Sequence, residues 1–520
     1  MIDSPKAVSS VEKACALLAV CLAAAAMPLT FTGTAVALPA IGHALTGDPI
    51  ALNWVTNAFM LTFGSSLMAA GALADRYGRK RVFLTGVGAF ALLSLGLAFA
   101  PGIVEFDLLR AAQGVAAAAA FAGGMASLAQ EFDGPTRLRA FSVVGASFGA
   151  GLSFGPIASG LMIDAFGWRS IFALVVILAA FAFGLGARVL RESRDPGATG
   201  LDWPGASSFT LALALLTCGV LQAPERGWTD PVVDGLLAGS ALMFAAFGFI
   251  ERRGARPMLD LSLFRYPRFV GVQLLAAAPA YAFVVLLILL PVRFVGIEGW
   301  REVETGRMMI ALSWPLLILP VAAGLLTRWL TPATICGVGL VISAAGLFWL
   351  SHVPFGGGAA IALPLTTIGA GIALPWGLMD GLAVSVVPKE RAGMATGIFS
   401  TTRVAGEGVA LAIVNAALSM LTASHLAAGG TAKMAGLAAQ RLVTGDLAGA
   451  VSILPGTGRA ALLQGYGAAF GTLLIVLAGV TIVTAGVIFT TLGRGAAAED
   501  DAGSTSAEEP VGAFPAGDGC

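Results

Sequence analysis

The sequence predicts an all-α integral membrane protein of fourteen spans, and three observations carry that expectation. Of 520 residues, 57% are hydrophobic and only 12% are charged, with a mean hydropathy of +0.87; a soluble globular domain carries about 25% charged residues. Apolar windows of about 20 residues, the thickness of a bilayer core, recur along nearly the whole chain. The charges are bunched into the gaps between these windows, as expected when hydrocarbon expels them. A formal net charge of +0 gives no pull toward nucleic acid.

Taken in order, the windows are 14–41, 52–74, 82–100, 106–128, 140–162, 169–188, 204–222, 233–250, 269–291, 306–327, 333–350, 359–386, 393–421 and 467–492. The first begins with LLAVC ending at Cys21, which faintly suggests a lipoprotein cleavage site. Val20 is large where such a site wants a small residue, and the apolar run continues to Ala40, so the window reads as a retained span. Lys and Arg orient the rest. Twenty of the thirty fall in gaps on the side of the termini, eight fall opposite, and Arg110 and Arg403 lie inside spans. This asymmetry predicts a multi-pass protein of the cell (inner) membrane with both termini cytoplasmic. The segment 422–466 becomes a long outer loop, and the polar, acidic segment 493–520 reads as a disordered cytoplasmic tail.

Five cysteines show no metal-ligand spacing and no disulfide framework, so no metal is expected. No phosphate-binding loop or zinc-binding helix is present, and no catalytic constellation is evident, so neither an ATP-driven pump on this chain alone nor an enzyme is expected. His43, His352 and His425 fall at outer span ends or in outer loops and read as interfacial. MAAGALADRYGRKR (68–81) aligns loosely with VAAGLLTRWLTPA (321–333), each closing the second span of a six-helix unit. Transporters made of related halves carry such weak repeats around a midplane site.

The densest charge knot is GALADRYGRKR (71–81). Gly71 is suited to close helix approach and Gly78 to a tight turn. Asp75 suits a helix N-terminus or an Arg, while Arg76, Arg79, Lys80 and Arg81 hold the turn at the cytoplasmic surface. This stretch resembles the loop between the second and third helices of the major facilitator superfamily, G-x-L-x-D-R-x-G-R-K/R-R/K. LLRAAQGVAAA (108–118) resembles the family's fourth-helix pattern through Arg110, Gln113 and Gly114. GLSFGPIASG (151–160) resembles the fifth-helix antiporter pattern through Gly151, Gly155, Pro156 and Gly160, with Ser159 replacing one Gly. Fourteen spans, LPAIG (38–42), the run at 167–172 and the long outer loop look like the fourteen-helix drug:proton antiporters.

The resemblance spans residues 14–492. It implies a major facilitator fold with an N-terminal stretch 1–13, a six-helix half 14–190, two inserted central helices 203–250, and a second half 269–492. It also implies a monomeric secondary transporter that binds a small molecule, is driven by the proton gradient without a cofactor, and exports amphipathic drugs or toxic compounds by alternating access. Transport of one metabolite or siderophore is the alternative, and a membrane enzyme or sensor a remoter one. Relatives in that branch usually carry an acid in the first helix where Thr30 stands, so either proton coupling has moved elsewhere or the protein is not a proton antiporter.

Intramembrane ionisable residues cost a few kcal/mol each and need a reason. Ser400, Arg403, Glu407 and Asn415 fall within an arc of about 120° on one helix. With Asp380 on the neighbouring antiparallel span, Arg403 is expected to stand between two carboxylates, leaving one spare acid as a proton carrier. Arg110 is a further coupling candidate, with snorkelling or pairing to Asp107 or Glu105 as the bland alternative. Thr30, Thr34, Gln113, Gln273, Tyr281 and Trp376 are candidates for a substrate cavity; packing is the default for the aromatic residues Trp54, Phe59, Phe63 and Trp314.

Overall fold

The computed structural model describes residues 10–45, 48–132, 134–194, 202–253, 259, 261–354, 356–386, 392–426 and 431–505. Fourteen helices are long and apolar enough to cross a bilayer: α1 (Ser10–Leu45), α2 (Pro49–Tyr77), α3 (Arg79–Ala98), α4 (Ile103–Glu131), α5 (Val143–Phe166), α6 (Ser170–Val189), α7 (Trp203–Pro224), α8 (Pro231–Arg253), α9 (Pro267–Ile297), α10 (Glu302–Leu326), α11 (Pro332–Ser351), α12 (Gly358–Ala383), α13 (Ile398–Leu426) and α16 (Arg459–Gly493). The segment expected to be a plain outer loop contains two further helices, α14 (Ala432–Val443) and α15 (Leu447–Ile453). Thr431 and Asp446 cap them, each accepting from a backbone N–H three residues on. No strand occurs among the described residues.

Helix pairing repeats along the chain. In the first half α1 packs on α5 and α6, α2 on α4, and α3 on α4 and α6. In the second half α9 packs on α13 and α16, α10 on α12, and α11 on α12 and α16. The same wiring occurs twice, which is the structural form of the weak sequence repeat. The halves meet where α5 packs on α10 and α2 on α13. The hairpin α7–α8 lies against the second of these seams, with Leu213, Val220 and Leu221 packed among Leu61, Ala405, Ala412 and Ala416.

Small residues set these approaches, though not always the expected ones. A Cβ added at Gly71 meets nothing within 4 Å, so Gly71 is not a helix-contact glycine. Close approach falls instead to Gly64, where a Cβ would enter the backbone of Ala405, and to Gly86, Gly114 and Gly123 within the first half. The last helix also corrects an expectation: it continues to Thr505, so residues 493–505 are helical. Extending an existing helix needs no new nucleus, and Ala496 to Ala498 favour it. Residues 506–520 of the expected tail, and residues 1–9 of the N-terminal stretch, lie outside the described residues.

The two halves are joined at the end of the bundle opposite the chain termini. Arg301, just ahead of α10, donates from Nη2 to both oxygens of Asp164 on α5 at 2.8 Å. Beside it, a Cβ at Gly160 would strike the backbone of Glu302, and one at Gly306 the backbone of Pro156 and Ile157. Across the other seam Asn415 donates to Asn53 at 3.0 Å. Gly445, with φ +85 between α14 and α15, packs on Gly296 of α9 and Pro39 of α1. The α14–α15 cap therefore spans both halves.

Candidate functional site

The charged turn after α2 is latched to the end of α6. Gly78 has φ 116, which only glycine adopts without strain, and a Cβ there would meet the Glu192 carboxylate. Asp75 takes Arg79 as its partner, with Nη2 at 2.8 Å and Nε at 3.0 Å. Lys80 donates to the Ala187 carbonyl at 2.7 Å, the Arg79 amide to the Ser193 carbonyl at 2.9 Å, and the Arg81 amide to Glu192 at 3.2 Å. Arg76 turns away, its guanidinium 5.2 Å from the Tyr77 ring centroid. The polar contacts of this turn run within it and to the end of α6. It fixes α2 and α3 against α6 as one rigid body, so damage to it is expected to stop motion rather than binding. Asp75→Asn and Gly78→Val should each retain membrane insertion and lose most transport; wild-type rates in both would contradict this assignment.

The fifth-helix glycines place α5 between two neighbours. A Cβ at Gly151 would enter Ala25 and Pro28, one at Gly155 would enter Thr32, and Gly160 faces α10. Pro156 sits among them, its carbonyl at the Gly306 contact.

In the first half, α1 to α4 converge on Arg110. It is fully buried, so it does not snorkel, and neither Asp107 nor Glu105 is within ion-pair distance, although Asp107 is near enough to attract it. Its Nε donates to the Val55 carbonyl at 2.9 Å, and its Nη1 to Gln113 Oε1 at 2.6 Å and to Thr30 Oγ1 at 3.5 Å. The guanidinium also stands 4.5 Å from the Phe59 ring centroid. Gln113 in turn donates to Ser94 Oγ at 2.8 Å and to Thr30 Oγ1 at 3.5 Å. Thr34 hydrogen-bonds the Thr30 carbonyl. Arg110 Nη2 has no partner, and no carboxylate lies within ion-pair distance of Arg110 among the described residues. Residue 30, where an acid was expected and Thr stands, thus faces this guanidinium directly.

In the second half the expected sandwich of Arg403 between two acids does not form. Arg403 reaches Asp380 on α12 at 3.4 Å and lies near the rings of Trp376 and Phe399, at 5.9 and 5.5 Å. The Asp380 side chain is 60% exposed and that of Arg403 14%. Glu407, one turn along α13, is 4% exposed and has no ion pair or hydrogen bond among the described residues. Asp380 and the Trp376 ring face the guanidinium from α12, and the Phe399 ring covers it from one turn back on α13. Gln273 of α9 is buried with both amide atoms unpartnered among the described residues. Tyr281 turns toward α16, where its hydroxyl meets Thr484 at 2.6 Å, which places it in packing rather than in this group.

One charged pair escaped sequence reasoning. Arg293, counted there as an outer-loop base, is buried at the end of α9 and donates to Glu298 at 2.6 Å, with side chains 7% and 4% exposed. Residues five apart point away from each other on an α-helix. Here a π-turn over Arg293–Ile297 brings them together, with the Glu298 amide bonded to the Arg293 carbonyl. The Phe470 ring of α16 covers the guanidinium at 4.9 Å.

A bundle of fourteen spans in two like-wired halves, with buried charges in each, defines a membrane transporter. The chain matches the Major Facilitator Superfamily over residues 20–411 and belongs to it. It is 31% identical to the multidrug resistance protein Stp of Mycobacterium tuberculosis over 74% of this chain and 72% of that one. It is 28% identical to the tetracenomycin C resistance and export protein of Streptomyces glaucescens, over 79% of this chain and 76% of that one. Among solved structures, a bacterial homologue of the human lysosomal transporter Spinster superposes with a TM-score of 0.61 at 14% identity, covering 93% of this chain and 97% of that one.

Proposed function

We propose that this transporter exports amphipathic drugs or toxic compounds across the cell membrane in exchange for protons, by alternating access and without a cofactor. The observation that supports it best is a pair of polar groups within the spans, one in each half and each built around a buried ionisable residue, Arg110 and Glu407, beneath an end where the halves are locked together. Arg110, Gln113 and Thr30 form the first, and Asp380, Arg403 and Glu407 form the second. Charges held in a bilayer at a cost of a few kcal/mol mark ion and substrate paths. The names of the relatives, multidrug resistance and antibiotic export, supply the substrate class.

In this reading the termini are cytoplasmic, as the Lys and Arg asymmetry favours. The locked end is then the outer one, and the conformation is the one that loads from the cell interior. Trp376 lies beside the Asp380–Arg403 pair, so a flat aromatic body with a basic group meets complementary surfaces there. Glu407, unpaired, is the group that takes and releases the proton. The chain works as a monomer, since each half supplies one buried group to the same path.

A pump-deficient strain expressing the protein tests the export reading. Raised tolerance to several unrelated amphipathic compounds, abolished by collapse of the proton gradient, is the expected result. Tolerance to one compound alone would favour a dedicated exporter. No change for any compound would defeat both. An impermeant thiol reagent should label a cysteine placed at Ser452 in intact cells.

A further inference from the structure

The turn of Arg110 toward the bundle centre leaves its neighbour within reach of its field but without a hydrogen bond from it. Asp107, three residues earlier on α4, lies within a membrane span, half-buried, with its Oδ1 buried and unpartnered among the described residues. It faces a groove of about 430 Å³ between α2 and α4, outside the site described above. Asp48 marks the groove's outer mouth as the N-cap of α2, accepting from the Ala51 amide at 2.7 Å. The wall is apolar and aromatic: Trp54, Leu61, Val104 and Leu108. The floor is rigid, because Thr62 of α2 donates to the Ala111 carbonyl of α4 at 2.7 Å and Gly114 admits Phe59 and Thr62 against the α4 backbone. From Asp48 to Thr62 the groove follows α2 for roughly 20 Å, at 1.5 Å per residue.

We propose that this α2–α4 groove is a second binding site, for amphipathic cations, seated with the positive charge between Asp107 and Asp48 and the apolar body along Trp54 and Leu61. The argument is one of charge and depth. Two carboxylates line the groove and no Lys or Arg does. The nearest guanidinium, Arg110, is committed to Val55, Gln113 and Thr30. A phospholipid chain would fill the wall but set its phosphate against Asp48. A lipophilic cation satisfies wall and mouth together, and the Trp54 face adds a cation–π surface. Placed at the end where the halves are locked, the groove is reachable from the membrane while the central path is shut. Its cargo is an incoming membrane-dissolved cation or one just released. The proposal does not depend on the export reading.

The test is binding of a brominated triphenylphosphonium to the full-length protein in phosphatidylcholine nanodiscs. Occupancy is read as the part of the tryptophan quenching that is lost in Trp54→Phe. The expected result is saturable quenching whose half-saturating concentration rises at least tenfold in Asp107→Asn, is restored in Asp107→Glu, and rises several-fold in Asp48→Asn. Asn is as good an N-cap as Asp, so Asp48→Asn removes the charge while the helix start survives, and it keeps the test open should Asp107→Asn fail to fold. Unsaturable quenching, wild-type affinity in both the Asp48→Asn and Asp107→Asn proteins, equal binding of a neutral brominated analogue, or displacement by phosphatidylethanolamine at membrane abundance would each overturn the site. Asp107-dependent binding in a protein that moves no drug would leave the groove standing and remove the export reading; export without groove binding would do the reverse.

Discussion

Arg110→Met is expected to give a protein that inserts and folds as well as the wild type, or better, and transports on the order of 100-fold more slowly, about 2.7 kcal/mol of barrier. Arg110 is wholly buried, and no carboxylate lies within ion-pair distance of it among the described residues, Asp107 acting on it only from further off. A side-chain amide, a backbone carbonyl and the Phe59 ring offset its desolvation, yet Nη2 is left over. Replacing a buried charge by an apolar chain of like size is often neutral or stabilising, by about 1–4 kcal/mol. Against this, Gln113 Oε1 would lose its donor, at about 1–3 kcal/mol. The fold therefore has little to lose. Thermal denaturation in detergent checks the first half of the expectation, and uptake into inverted vesicles checks the second. A strongly destabilised variant would show that Arg110 is structural mortar; a stable variant with full activity would show that it is dispensable.

Glu407→Gln is expected to abolish uphill efflux while downhill exchange of substrate survives. Had Glu407 served to neutralise Arg403, its loss would cost about 3–5 kcal/mol, the usual effect of breaking a buried pair. Arg403 instead makes its ion pair with Asp380, and Glu407 feels that guanidinium from one turn away without an ion pair of its own. Gln keeps the shape and removes only the titratable charge, so expression and exchange report folding while uphill efflux reports coupling. Loss of both activities with normal folding would make Glu407 a binding residue. Full uphill efflux would free it of any role.

The parts of this fold legible in the sequence are those written locally. A span is about 20 apolar residues in a row, and the bilayer imposes that signal window by window, so all fourteen could be read. The tight turn at Gly78 was legible for the same reason, because φ 116 is a demand on one residue. Gly71 shows the limit: a glycine on a span suggests close contact, but only packing says with what, and here nothing stands near. Arg110 and Gln113 could be paired by their spacing on one helix; that Thr30 completes the group needed three other helices. Helix spacing put Arg403 between two acids; that it pairs with Asp380 alone depends on the neighbouring helix, where Asp380 and the Trp376 ring sit. Arg293 with Glu298, Asp164 with Arg301, and an Asp107 left without a hydrogen bond from Arg110 were beyond reach. The first needs a π-turn, the second joins residues 137 apart, and the third follows from the direction a neighbouring guanidinium takes.

The central claim is that substrate export and proton entry share one path past the second half's intramembrane acids, exposed Asp380 and buried Glu407. Proteoliposomes holding the purified protein and an internal pH dye measure it most directly, with substrate added while the internal pH is followed. Wild type should show substrate-stimulated proton movement that saturates with substrate, and Asp380→Asn with Glu407→Gln should show none while still exchanging a neutral substrate. Undiminished proton movement in that double variant would contradict the claim and move the proton path to Arg110 and Asp107.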